Sequence, residues 1–319
     1  MAVFQQVFAR SGVDESRTPT GAIVPLSSKV PPEFTLVRLT GATPEMRLKH
    51  PDWITHEEIS GSGLLTFVSM YLGSLGLTAA FPLMVQPDTR YFKISGRMAT
   101  KQVDVTAVSR RGEEGKLQVR VLPRRKVDLS IRPVQVRASS QSSALVFHSK
   151  QPFDINAMVD HMNEIWTPQA NVVFNLVSSN PVPIIDEVEI GKAYDQSGPI
   201  ALPQTVTLDR VRNILNRNKD AKAELTLFLV QTCGVLDQGG RNTSTPQGVS
   251  DDEFPIGLIS DARIHIHELL AHEAGHLIGR KFNSGKNFHH SGGKFDLMMD
   301  GGNVEAIVPF KDVLHFNQP

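Results

Sequence analysis

Residues 266–279 read Ile266-His267-Glu268-Leu269-Leu270-Ala271-His272-Glu273-Ala274-Gly275-His276-Leu277-Ile278-Gly279, and the fold is best approached from this stretch outward. Ile266, Leu270, Ala274 and Leu277 recur at three- and four-residue spacing, which marks one buried face of a helix. Ser260 or Asp261 can cap its start, and Gly279 can take the left-handed conformation that ends a helix. Four residues make about one helical turn. His272 and His276 therefore project from one face and can converge on a single metal, with zinc the expected ion. Glu273 is rotated by about 100 degrees from His272. It can reach a water on that metal instead of the metal itself, which is where a general base is needed.

The rest of the chain sets bounds on that reading. At 319 residues two domains are expected. Apolar residues make up 40% and charged residues 21%, ample for a packed core. Lys plus Arg and Asp plus Glu both number 33, so the formal net charge is zero and no electrostatic footprint argues for nucleic acid. Cys233 is the sole cysteine, which precludes an intrachain disulfide and suits folding in a reducing compartment. Arg10, Asp14, Glu15 and Arg17 interrupt the first twenty residues, and no secretory signal is read there. The expected location is the cytoplasm, or the outside by a dedicated export machine. Residues 64–85 carry no charge. Gly73, Gly76 and Pro82 interrupt them and no basic cluster flanks them, so buried secondary structure is favoured over membrane contact.

Three segments follow from the patterning. Residues 1–30 are mixed and polar and read as a lead-in arm. Residues 31–125 favour strands: Tyr91-Phe92-Lys93-Ile94-Ser95, Gln102-Val103-Asp104-Val105-Thr106-Ala107-Val108 and Lys116-Leu117-Gln118-Val119-Arg120-Val121-Leu122 alternate with period two, which suggests a small β-sandwich. Pro123-Arg124-Arg125-Lys126 marks a boundary, and residues 126–319 are mixed α and β. Strands are expected over 127–136, 171–177 and 225–230. An amphipathic helix is expected over 154–165, with Asp154 as its cap and Pro168 just past its end, and another over 206–216. Residues 234–252 read as a loop rich in Gly, Ser, Thr and Asp.

From His272 to Asp300 the chain resembles the metzincin clan of zinc peptidases. The clan's HExxHxxG is complete at 272–279, and Leu297-Met298-Met299-Asp300 resembles its methionine turn. The clan's third histidine normally falls three residues after the glycine, where this chain has Phe282. In several members that histidine precedes the turn methionine by eight residues, the separation of His290 from Met298. His290 is the expected third ligand, with His289 the alternative. The strand and helix order upstream agrees with the clan, and 307–314 fits its short terminal helix. The N-terminal strands resemble bacterial immunoglobulin-like modules.

These resemblances imply an α+β protein: an N-terminal β-rich, sandwich-like domain, then a metzincin-like catalytic domain with a mixed sheet, an active-site helix and a methionine turn. They imply a zinc-dependent endopeptidase and a protein or peptide substrate, and an N-terminal β domain combined with no secretory signal would suit an effector or toxin exported by a dedicated machine. His272, His276 and His290 would hold Zn2+, Glu273 would be the general base, and Met298 and Gly279 would support the site. Clan members pair substrate with an edge strand before the zinc helix. Pro255-Ile256-Gly257-Leu258-Ile259-Ser260 is placed for that role, so Gly257, Leu258 and Ile259 are expected to bind peptide. Some members place a tyrosine after the turn methionine. Here no tyrosine lies beyond Tyr194, so oxyanion stabilisation falls to the metal or to a residue not identified.

Other readings stay open. A gluzincin-like site would take Glu305 as third ligand, and a deformylase-like site would take Cys233, though neither surrounding motif matches. A non-catalytic module could close a structural zinc with His289 and His290 together. Glu273 argues against that, since a structural site needs no base. His265 and His267 read as solvated or hydrogen-bonded helix positions.

Overall fold

The structure is a computed structural model. It describes residues 2–8, 12–13, 21–27, 33–59, 88–137, 145–147, 154–183, 185–186, 205–230, 232–236, 242–244, 248–251, 253–260, 266–279 and 316–317. The protein is α+β, mostly sheet with few helices. The chain divides into two compact units. One comprises Met1–Arg125, Glu164–Val173 and Ile307–Pro319; the other comprises Lys126–Asn163 and Phe174–Ala306.

In the first unit, β1 (Val3–Phe8), β2 (Gly12–Val13), β4 (Thr35–Thr40), β6 (Ile54–Ile59) and β7 (Arg90–Gly96) form a sheet ordered β2-β1-β4-β7-β6. A second sheet, ordered β3-β9-β8-β5, joins β3 (Gly21–Pro25), β5 (Arg47–Lys49), β8 (Thr100–Ser109) and β9 (Gly112–Leu122). Period-two alternation gives each sheet one apolar face. Phe4, Val37, Leu39, Phe92 and Ile94 of the first sheet meet Ala22, Val24, Val105, Leu117, Val119 and Val121 of the second in one core. The unit is thus a two-sheet sandwich.

The expected lead-in arm is wrong over two stretches: β1 and β3 are sheet strands, and Phe4, Ala22, Ile23 and Val24 are buried. Gln6 is polar yet buried among them. Its amide is satisfied inside the unit, Nε2 donating to Pro168 O at 2.8 Å and Oε1 accepting from Ile23 N at 3.2 Å.

The second unit is built on a five-stranded sheet ordered β13-β10-β16-β20-β19. Its strands are β10 (Arg125–Pro133), β13 (Val172–Ser178), β16 (Leu225–Val230), β19 (Gly248–Ser250) and β20 (Ile256–Ser260). β10, β16 and β20 run parallel, and β19 is antiparallel to β20. Every residue of β16 and β20 is buried, as expected of interior parallel strands. Smaller sheets join β11 (Val136–Arg137), β12 (Leu145–Phe147) and β14 (Ile185–Asp186), and β15 (Thr205–Thr207), β17 (Thr232–Leu236) and β18 (Asn242–Ser244).

Among the described residues three helices accompany these strands: α1 (Ile155–Ala170), α2 (Leu208–Arg217) and α3 (Ile266–Ile278). Asp154 caps α1 as expected, its Oδ1 accepting from Ala157 N at 3.0 Å. The helix does not stop before Pro168 but runs through it to Ala170. A proline removes one amide donor, and here the next helical bond, Asn171 N to Thr167 O at 3.0 Å, survives. Asn171 then ends the helix in the left-handed region, at φ 52.

Two further expectations are corrected. Residues 234–252 are not one loop, since β18, β19 and the end of β17 lie within them. β20 is not an edge strand. Gly257 pairs with Leu227 and Ser250, Leu258 with Phe228 and Val249, and Ile259 with Leu229 and Gly248. Both backbone edges of the expected peptide-binding residues are therefore occupied, and among the described residues β19 is the terminal strand on that side of the sheet.

Candidate metal centre

Helix α3 packs on β16, β19 and β20. Leu270, Ala274 and Leu277, three of the residues whose spacing forecast the helix, are buried at 1% exposure or less. Gly279 continues the last turn, its amide donating to Gly275 O at 2.9 Å. The described glycines of positive φ are Gly41 and Gly112, so Gly279 does not adopt the expected left-handed cap. Ser260 closes β20, while Asp261 lies outside the described residues.

One turn of α3 brings the two histidines together. His272 Nε2 and His276 Nε2 are 3.1 Å apart, with ring centroids 4.7 Å apart and ring planes at 84°. Two imidazole nitrogens on a tetrahedral zinc, each at about 2.0–2.1 Å from it, sit roughly 3.3 Å from one another. The pair therefore fits a zinc ion between the two Nε2 atoms. His272 is buried and His276 is half-buried, so one side of the pair stays open.

The Glu273 side chain lies against β19, at Gly248 and Ser250. It is 4% exposed. Its Oε2 lies 2.5 Å from the hydroxyl of Ser250 on β19, and its backbone carbonyl lies 3.1 Å from the same hydroxyl. Burial pushes the carboxyl up to about 7, against the opposing pull of the Ser250 hydrogen bond. A carboxyl poised near neutrality is suited to accept and release a proton.

The strand that meets Glu273 is itself anchored. Asp251, fully buried, accepts from Glu253 N at 2.7 Å and Phe254 N at 2.9 Å through Oδ1. Its Oδ2 accepts from Arg212 Nε of α2 at 2.5 Å. Within the same unit His161 of α1 lies 3.3 Å from Glu268 of α3, a contact beside the metal helix. None of these supporting residues was anticipated. Gly248-Val249-Ser250 carries no hydrophobic period, and only a serine and a glycine two residues apart, hence on one strand face, hinted at a helix-facing role.

His289, His290, Met298 and Glu305 lie outside the described residues, as do residues 64–85 and the expected terminal helix at 307–314. Among the described residues no group of three or more His, Cys, Asp or Glu gathers to hold a metal. Cys233 lies on β17, paired in register with Val206 of β15. Among the described residues no helix is long and apolar enough to cross a membrane.

No family model matches the sequence, and no curated protein does. Among solved structures the chain is similar to a zinc-dependent peptidase from Methanocorpusculum labreanum (strain Z). The identity is 12% and the TM-score 0.37, over 60% of this chain and 99% of that one.

Proposed function

We propose that this protein is a zinc-dependent peptidase whose metal is held by His272 and His276, with His290 completing the set and His289 as the alternative. The observation that carries the reading is the convergence of two Nε2 atoms to 3.1 Å on a helix whose intervening carboxyl, Glu273, is buried. Structural zinc sites close with four protein ligands and need no adjacent base; a buried glutamate next to a ligand is the part such a site would lack.

When bound, zinc supplies a Lewis acid for the scissile carbonyl and brings the pKa of a coordinated water toward neutrality. The protein does the rest. Glu273 takes a proton from the attacking water at its carboxylate and delivers it to the nitrogen of the leaving amine as the C–N bond breaks. The hydrolysis yields a carboxylic acid and an amine. β19 offers the sheet edge on which an extended peptide can add, in place of β20, whose edges are both filled.

The test is hydrolysis of a peptide panel by the zinc-loaded full chain. Glu273→Gln keeps zinc at wild-type stoichiometry and abolishes cleavage. A wild type that holds zinc and cleaves nothing would overturn the peptidase reading, as would a Glu273→Gln variant that cleaves normally.

A further inference from the structure

A glutamate buried beside two imidazoles has many rotamers open to it, and a general base is useful in only one. In this fold the choice is made by the opposite wall. Gly248 and Ser250 are two residues apart on β19, so both face the same side of the strand, toward α3. Ser250 Oγ stands 2.5 Å from Glu273 Oε2. At Gly248 the Glu273 side chain lies against the bare backbone. A Cβ added there would sit 2.5 Å from Oε1, 2.7 Å from Cγ and 2.8 Å from Cδ. Contacts that short force a shift, and the flexible end of the Glu273 side chain is what gives, so a residue with a Cβ here would displace the carboxylate.

We propose that Ser250 is a positioning residue for Glu273, and that Gly248 supplies the floor on which the carboxylate rests. The hydroxyl engages Oε2 while Gly248 makes room for Oε1, and together they fix the side-chain torsions. The strand can impose this because its far end is pinned by Asp251, which accepts from two backbone amides and from Arg212. One hydroxyl partner offsets only part of what burying a carboxyl costs. The arrangement is therefore better explained by placement than by packing. The inference rests on the peptidase reading for its catalytic meaning, while the contact itself is separable from it.

The experiment uses the full chain with Ser250→Ala, Ser250→Thr and Gly248→Ala, each checked for wild-type zinc stoichiometry. Loss of one orienting hydrogen bond is worth about tenfold in rate. Ser250→Ala lowers kcat about tenfold with KM unchanged, Ser250→Thr restores most of it by keeping the hydroxyl, and Gly248→Ala lowers kcat further. A second readout does not need turnover: the side-chain carboxyl carbon-13 resonance of Glu273 in the metal-free chain, assigned by its absence in Glu273→Gln. That resonance shifts in Ser250→Ala and stays in place in Ser250→Thr. If it is unmoved in Ser250→Ala, the positioning contact is wrong, whatever the enzyme does. A wild-type kcat in Ser250→Ala, or a loss that Ser250→Thr fails to rescue, overturns the catalytic role. A wild type without hydrolysis removes the peptidase reading alone, and the carboxyl resonance still decides whether Ser250 holds Glu273.

Discussion

Glu273 binds its proton more tightly in the native protein than in the unfolded chain, because burial raises its carboxyl from 4.5 to about 7. Between those two values the native state holds a proton that the unfolded state has released. Stability therefore falls as pH rises through that window, and the fall is complete above about 7. A rise from 4.5 to about 7 corresponds to on the order of 3 kcal/mol. The prediction concerns metal-free protein, where no cation competes. In denaturant titrations the stability of Glu273→Gln relative to wild type should grow as pH climbs from about 4.5 to about 7, then level off. A difference that stays constant with pH would mean the carboxyl is not buried as the fold places it.

At the scale of elements, what could be read in advance depended on whether an element announces itself by periodicity. α3, α1, β16 and the sandwich strands β7 to β9 did, because each carries apolar residues at the spacing of its own geometry. β19 did not. Three residues of Gly, Val and Ser have no period, and they form a strand only because β20 offers them a ladder of partners. β20 was legible as a strand and misjudged as an edge, since that depends on a neighbour recruited from apparent loop. The end of α1 shows the same limit. Pro168 suggested an early stop, whereas the stop lies at Asn171, whose side chain donates to Leu122 O at 2.8 Å and whose Oδ1 lies 3.3 Å from Arg124 Nε. That cap is testable. Asn171→Ala loses the buried bond and forces an alanine to φ 52, costing about 2–3 kcal/mol in a urea titration. Asn171→Gly keeps the conformation and should lose about 1 kcal/mol less. If glycine proves worse than alanine, the cap is not the reason the helix ends there.

For the whole molecule, the division into two units decides how the metal should be felt. The sandwich carries its own apolar core, from Phe4 and Val37 to Val119 and Val121. The metal pair sits on α3 in the other unit, over the sheet of β16, β20 and β19. A ligand that binds only the folded form stabilises what it binds by mass action, roughly 2.7 kcal/mol at a hundred times its dissociation constant. Calorimetry of the full chain should therefore show zinc raising the unfolding midpoint. For a unit of this size the rise is about 5–10 °C at that excess. His272→Ala removes one of the two converging nitrogens and should erase the shift, while Glu273→Gln leaves it in place because the glutamate is not a ligand. If zinc still raises the midpoint in His272→Ala, then the metal is not held where the two imidazoles meet.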